Sequence, residues 1–344
     1  MKYYIISGEA SGDMHGANLI KEIKKLDPAA SFRCWGGDKM KNAGGEIVKH
    51  YRDLAFMGFT EVVMNLQTIL KNISFCKKDI LTWKPDSVIL IDYPGFNLRI
   101  AEFAKQNSFK VVYYISPQVW AWKQSRVEKI KRFVDKMIVI LPFEKEFYKN
   151  FNYEVEYVGH PLLDEIHSAE KTIAPDWRTK NRFDNRKIIS LLPGSRVQEI
   201  KRMLPVMLSV VNNFSDYQFA VSVAPSVNPD LLKQMCSRFP VKLIINDSYS
   251  LVRNSHAALV TSGTATLETA LFNVPEVVCY KGGTVSFLIA RQLVKVKYIS
   301  LVNLIMGKEV VKELIQSELT AKNLSVELQK ILQEEKRKEM LMDY

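Results

Sequence analysis

Met1-Lys2-Tyr3-Tyr4-Ile5-Ile6-Ser7-Gly8-Glu9-Ala10-Ser11-Gly12-Asp13 begins the chain, and Lys187-Ile188-Ile189-Ser190-Leu191-Leu192-Pro193-Gly194-Ser195-Arg196 begins its second half. In each stretch a short apolar run passes directly into a glycine-bearing turn, and a helical pattern follows. An apolar run without polar alternation fits a strand covered on both faces. A glycine turn between such a strand and a helix opens a βαβ unit. Two openings of this kind predict two parallel sheets, each with its own helices.

The pattern extends outward from both. In the first half, apolar runs at 3–7, 31–35, 87–91, 110–115 and 136–141 are separated by amphipathic stretches such as 19–26 and 97–105. Residues 164–186 are polar and rich in turn formers (Pro175, Asp176, Asp184, Asn185), as a linker would be. Strands are then predicted at 187–192, 218–223, 241–245, 257–261 and 276–280, with helices at 197–214, 229–239, 249–254 and 264–272. The tail from Leu324 carries Glu334-Glu335-Lys336-Arg337-Lys338-Glu339 and reads as a helix, either solvated or crossing back onto the first domain. The expected fold is α/β: two Rossmann-like domains, 1–163 and 164–323, facing a cleft, with a C-terminal helix at 324–344 crossing back to the first. Ligands of such sheets bind beyond the carboxyl ends of the strands.

Composition narrows the partners. A chain of 344 residues suits two domains, and the net charge of +11 favours polyanions: nucleotide phosphates, nucleic acid or an anionic leaflet. No nucleic-acid module or dense basic patch accompanies that charge, so nucleic acid is not expected. Cys34, Cys76, Cys236 and Cys279 lie far apart, which supports neither a zinc site nor a disulfide framework and fits a reducing cytoplasm. The N-terminus lacks the apolar length of a signal peptide. No window approaches the ~18 consecutive apolar residues of a membrane span, so any membrane contact is expected to be peripheral.

The strand-end loops hold the candidate chemistry. The loop from Ser7 to Asp13 offers glycines and a helix N-terminus to an anion. It matches neither dinucleotide nor P-loop spacing. Its acidic pair, Glu9 and Asp13, suits sugar hydroxyls, and capping by Ser11 or Asp13 is the structural alternative. Asp92 follows the run 88–91 and precedes Tyr93-Pro94-Gly95-Phe96-Asn97; partial desolvation there would make it a usable base, unless it caps the next helix. Ser116-Pro117-Gln118-Val119-Trp120-Ala121-Trp122-Lys123 brings aromatic faces and an amide suited to a sugar or an acyl chain; such tryptophans are also often core. In the second half, Gly194, Ser195 and Arg196 are placed to meet a phosphate. Ser262, Gly263 and Thr264 repeat that arrangement at a later strand, with Glu268 one turn on for ribose hydroxyls. His160 reads as a hinge residue or a phosphate contact, and His15 as structural. No residue set has metal-ligand spacing. Phe59, Val62, Val63, Leu66, Ile69 and Leu70 form a helical stripe, either core-facing or, with Arg52, Lys71, Lys77 and Lys78 nearby, resting on an anionic leaflet.

These segments, in this order, resemble the lipid-A-disaccharide synthase family, inverting glycosyltransferases of GT-B architecture. The matching pieces are SGEASGD at 7–13, MGFTEV at 57–62, DYPGFN at 92–97, SPQVWAWK at 116–123, LPFEKEFY at 141–148, GHPLLD at 159–164, LLPGSR at 191–196, SGTATLE at 262–268 and the stretch 298–312. The resemblance covers about nine-tenths of the chain. It implies that UDP-2,3-diacylglucosamine donates its sugar to 2,3-diacylglucosamine 1-phosphate, giving a β-1,6-linked disaccharide phosphate and UDP.

On that model Asp92 activates the acceptor hydroxyl with Glu9 as a neighbour or rival, and Ser11, Gly12, Asp13, Gln118 and Trp120 border the substrates. Arg196 and the turn at 262–264 hold the diphosphate, Glu268 the ribose, and Asn303 lies near the donor. The stripe 59–70 becomes the acyl-binding and membrane-touching surface, on the cytoplasmic face of the inner membrane. No cofactor or metal is expected, because helix termini and Arg196 supply positive potential; a homodimer is compatible with the family. Some members carry a second carboxylate in the Asp92 loop where this chain has Gly95, which throws more weight onto Asp92. The alternatives are another GT-B UDP-sugar enzyme, such as an epimerase or N-acetylglucosaminyl transferase, or a non-catalytic UDP-sugar or lipid binder.

Overall fold

In the computed structural model, strands β1 (Lys2–Ile6), β2 (Ser31–Gly36), β3 (Glu46–His50), β4 (Ser87–Ile91), β5 (Lys110–Tyr114), β6 (Lys136–Val139) and β7 (Glu156–Tyr157) form one sheet in the order β3-β2-β1-β4-β5-β6-β7. Every pairing in it is parallel. A second parallel sheet, of β8 (Lys187–Leu192), β9 (Tyr217–Val223), β10 (Val241–Ile245), β11 (Ala257–Thr261), β12 (Glu276–Tyr280) and β13 (Lys312–Ile315), runs β10-β9-β8-β11-β12-β13. The structure describes residues 1–53, 66–283 and 296–344. The chain divides into two units, Met1–Pro161 and Leu162–Tyr344.

The apolar runs are explained by what covers each face. Successive strand residues point to opposite sides. Tyr4, Ile6, Val88 and Leu90 enter one cluster with Ile80, Ile100 and Tyr113. Ile5, Ile89 and Ile91 enter another with Ile20, Phe32 and Met40. With apolar clusters on both sides, both faces of the inner strands are mostly apolar, and the period of two disappears from the sequence. In each sheet the strand order reverses beside the first strand, between β1 and β4 and between β8 and β11. That reversal opens a crevice at the carboxyl ends, where doubly wound sheets take ligands.

The tail packs on the second sheet. Leu324, Leu328, Ile331 and Met340 are buried in the same cluster as Val277 and Leu314 of the second sheet. The Arg337 guanidinium donates to the His256 carbonyl, and Lys308 pairs with Asp343. The helices Ala321–Leu332 and Glu334–Asp343 thus complete the second unit's core. In 324–344, where the sequence predicts a charged helix crossing back to the first domain, four apolar anchors, Leu324, Leu328, Ile331 and Met340, stand among the charges.

Candidate functional site

Asp92 is the first residue beyond β4, and its backbone is left-handed (φ 44°), as is that of Tyr93 (φ 49°). Ile115, the first residue beyond the adjacent β5, is left-handed too (φ 67°). Each such non-glycine residue costs ~1–3 kcal/mol and persists only where its surroundings over-determine it. Those surroundings are visible. The Asp92 N–H donates to the Ile115 carbonyl at 3.2 Å. The Asp92 carbonyl accepts from Asn97 Nδ2 at 2.7 Å and from Tyr113 Oη at 2.6 Å. Asn97 is fully buried, and its amide also reaches the carbonyls of Ile91 (3.2 Å) and Ile6 (3.5 Å), tying together the ends of β4 and β1.

The Asp92 residue is exposed, but dense protein lies around its carboxyl. Desolvation, aided by the charge of Glu9, raises that carboxyl to about 6, against the pull of the Tyr93 N–H. An accessible carboxylate in partly dehydrated surroundings is what proton abstraction near neutral pH requires.

The loop after β1 lies beside this turn because β1 and β4 are paired, Ile6 opposite Leu90. Neighbouring strands run ~4.8 Å apart. Gly8 is needed here: a Cβ would fall 2.5 Å from the Tyr93 ring. Glu9 is half-buried at the start of the helix Ala10–Leu26, Ser11 is exposed, and Gly12 packs against Ser7 with no room for a side chain.

Asp13 departs from its predicted role at the substrate. Its carboxylate is buried, with Oδ1 accepting the N–H groups of Gly37 (2.7 Å) and Met40 (3.0 Å) and Oδ2 that of Lys39 (3.1 Å). It caps the helix Asp38–Asn42, a partner far along the chain that the local sequence does not announce.

Beyond β5, Gln118 is exposed while Trp120 is buried, edge-on to Phe143 at 5.0 Å. Trp120 is therefore an internal anchor of this loop, in contrast to the open stacking face expected of it. The sequence reading missed the group that it packs toward. Glu144 is 1% exposed, and its Oε2 accepts the N–H groups of Ile140 (3.2 Å) and Leu141 (2.9 Å). Burial lifts Glu144 to about 7, held back by those two N–H groups and by Trp120 and Ser116. Ser116 Oγ bonds Tyr148 Oη at 2.7 Å.

In the second unit, the candidate phosphate loops leave adjacent strands, β8 and β11, with Leu192 opposite Val260. Gly194 takes φ +105°, and a Cβ there would meet Glu199 Oε2 at 2.8 Å. Ser195 and Arg196 are exposed at the start of the helix Val197–Leu208, and Arg196 Nη1 pairs with Glu199 at 3.1 Å. Ser262 Oγ donates to the Ile299 carbonyl at 3.1 Å. Gly263 and Thr264 are exposed where the helix Thr264–Leu271 begins, and a Cβ on Gly263 would meet nothing. Half-buried Glu268 faces Tyr249, whose hydroxyl is raised first by burial and then by Glu268.

Asn303 is the other departure. It is fully buried, its Oδ1 accepting from Val310 N (2.7 Å) and Val311 N (2.9 Å) and its Nδ2 donating to Val311 O (2.8 Å) and Glu313 Oε1 (2.9 Å). All four hydrogen-bonding valences of the amide are engaged within the protein, so Asn303 shapes its own loop without presenting its amide.

Phe59, Val62 and Val63 of the apolar stripe lie outside the described residues. Leu66 (49% exposed) and Leu70 (52%) stand on the helix Leu66–Trp83, while Ile69 is half-buried against the core. Lys71 and Lys78 are exposed on the same helix. A groove of about 420 Å³ runs between it and the helix Pro94–Gln106, lined by Leu70, Ile73, Phe103, Lys77 and Arg99 among others. Burial lowers His15 and His160 to about 4 each. Among the described residues no three His, Cys, Asp or Glu gather into a metal-holding group, and no helix is long and apolar enough to cross a membrane.

Residues 3–344 match the family model described as "Lipid-A-disaccharide synthetase". Curated relatives include the lipid-A-disaccharide synthases of Syntrophus aciditrophicus (41% identical, covering 98% of this chain and 90% of the relative) and Trichlorobacter lovleyi (39%; 96% and 88%). Among solved structures, the UDP-GlcNAc 2-epimerase of Neisseria meningitidis bound to UDP-GlcNAc superposes with a TM-score of 0.70 at 14% identity, covering 99% of this chain and 94% of that one. The calicheamicin glycosyltransferase CalG4 gives 0.60 at 14% identity, covering 99% and 93%. At such identities the structural likeness establishes the fold, which is GT-B.

Proposed function

Since the chain belongs to the lipid-A-disaccharide synthetase family, glycosyltransferases that form the lipid A disaccharide from lipid-linked sugars, we propose that Asp92 is its general base and that the loops after β8 and β11 hold a UDP-sugar donor. The donor is UDP-2,3-diacylglucosamine, and the acceptor is 2,3-diacylglucosamine 1-phosphate. Asp92 takes the proton of the acceptor's 6-hydroxyl as its oxygen attacks the anomeric carbon. The bond to the diphosphate breaks on the opposite side, so configuration inverts and UDP leaves with the bonding pair. Glu9 adjusts the base and contacts the acceptor, with Ser11, Gly12 and Gln118 along the same rim.

Arg196 exchanges Glu199 for the diphosphate, joined by the backbone N–H groups at 194–195 and 263–264. Glu268 accepts ribose hydroxyls. The first unit thus serves the acceptor and the second the donor. Leu66, Leu70, Lys71 and the groove beside them favour acyl chains and an anionic surface, here the cytoplasmic face of the inner membrane.

One observation carries this reading. Glu9 and Asp92 in the first unit, and Arg196 and the turn at 262–264 in the second, follow the two strands where each sheet order reverses, and burial raises Asp92 there to about 6. The test is turnover of the two defined substrates. UDP release should require the acylated acceptor, and kcat/KM should rise with pH through about 6. Asp92→Asn should lower kcat by about 10³-fold with UDP affinity unchanged. Full turnover by that variant, or UDP release without acceptor, would sink the proposal.

A further inference from the structure

Tyr113 belongs to none of the motifs that carry the family likeness, and its ring is fully buried in β5. Its hydroxyl nevertheless ends on the backbone of the candidate base. The Asp92 carbonyl has two lone pairs; Tyr113 Oη takes one at 2.6 Å and Asn97 Nδ2 the other at 2.7 Å. The donors come from different elements, a neighbouring strand and the following helix, and they pin the 92–93 peptide from two sides. That peptide joins two left-handed residues, a conformation that relaxes toward the right-handed region once it is unpinned. Relaxation would also withdraw the Tyr93 ring from its seat on Gly8 and Phe96.

We propose that Tyr113 is a positioning residue: its buried hydroxyl holds the Asp92 turn left-handed and so aims the Asp92 carboxyl at the acceptor. This rests on Asp92 being the base. The charged and titratable groups around the turn are Glu9, from the start of the helix Ala10–Leu26, Tyr93 on the turn itself, and Tyr113 with Arg126 and Tyr148 behind it. Of these, Glu9 faces the Asp92 carboxyl most directly, so a released turn loses part of its influence and gains water.

The experiment compares the full chain with Tyr113→Phe, which keeps the buried ring, and with Tyr148→Phe. The latter removes a buried hydroxyl from Ser116 instead and leaves the Asp92 carbonyl alone. Carboxyl-carbon NMR titration, with the Asp92 signal assigned by its loss in Asp92→Asn, is read beside kcat and KM. In Tyr113→Phe the Asp92 midpoint should move down from about 6 toward the ordinary carboxylate range, with kcat lowered about tenfold and donor KM unchanged, as for a reacting group displaced by a fraction of an ångström. Tyr148→Phe should leave the midpoint in place.

A Tyr113→Phe protein with the wild-type midpoint overturns the proposal, whatever its rate. So does an equal shift in Tyr148→Phe, which would mark general loosening. A shifted midpoint with undiminished kcat upholds the hold on the turn, and it removes Asp92 as the base.

Discussion

Asp92 and Asp13 lie in the same unit, and their surroundings assign them opposite work. Asp13 meets three backbone N–H groups inside the protein, so Asp13→Ala would leave buried donors without partners. We expect it to cost about 3 kcal/mol in urea unfolding, with UDP affinity unchanged. For Asp92 the balance runs the other way. Its folded pKa, about 6, lies above its ordinary value of 3.8, so folding favours the protonated form. The resulting penalty is absent below the ordinary value, grows as pH rises to about 6 and is constant above it. Asp92→Asn should therefore melt no lower than wild type at neutral pH while losing turnover; a clearly lower melting temperature would argue that the carboxylate is structural. The strand-end placement of Asp92 was readable because an apolar run stops there. The roles of Trp120, Asn303 and Asp13 were not, because residue type does not tell which way a side chain turns. Tyr113 was hidden as one more apolar-looking letter of a strand.

Two glycines show how helix starts constrain the elements. Gly8 lies against the Tyr93 ring with no room for a methyl group, while Gly95, in the first turn of the helix Pro94–Gln106, has open space. Gly8→Ala should thus push the Asp92 turn aside and lower kcat at least as strongly as stability. Gly95→Ala should stabilise by roughly 0.5–1 kcal/mol through the less flexible unfolded chain, with activity retained. Equal outcomes for the pair would contradict the close contact at Gly8. Legibility also varied among strands. The inner ones announced themselves as unbroken apolar runs, whereas β3 (Glu46–His50), β7 (Glu156–Tyr157) and β13 (Lys312–Ile315) did not. All three stand at the margin of a sheet; Lys49 and Glu156 are admitted where one side needs little cover, and Glu313, though buried, is satisfied by the N–H groups of Ile299 and Ser300 and by Asn303, so pattern alone cannot separate these strands from loops.

For the molecule as a whole, the proposed membrane contact should draw separately on the net charge of +11 and on the exposed leucines of the helix Leu66–Trp83. Flotation with vesicles containing anionic phospholipid should weaken as salt shortens the screening length from ~10 Å at 0.1 M. Leu66→Glu with Leu70→Glu should weaken it about 30-fold at fixed salt, taking ~1 kcal/mol for each half-exposed leucine. Binding that ignores both changes would remove this helix from the interface. The sheet order has a consequence of another kind. β1 sits between β2 and β4, with Tyr3 opposite Ser87. During synthesis β1 thus gains its second neighbour only after β4 has been made, more than half-way through its unit, and β8 waits in the same way for β11. Until then each nascent half carries a bare apolar edge, so fragments ending before Ser87 should aggregate, and refolding of the whole chain should be slow, as long-range parallel pairing dictates.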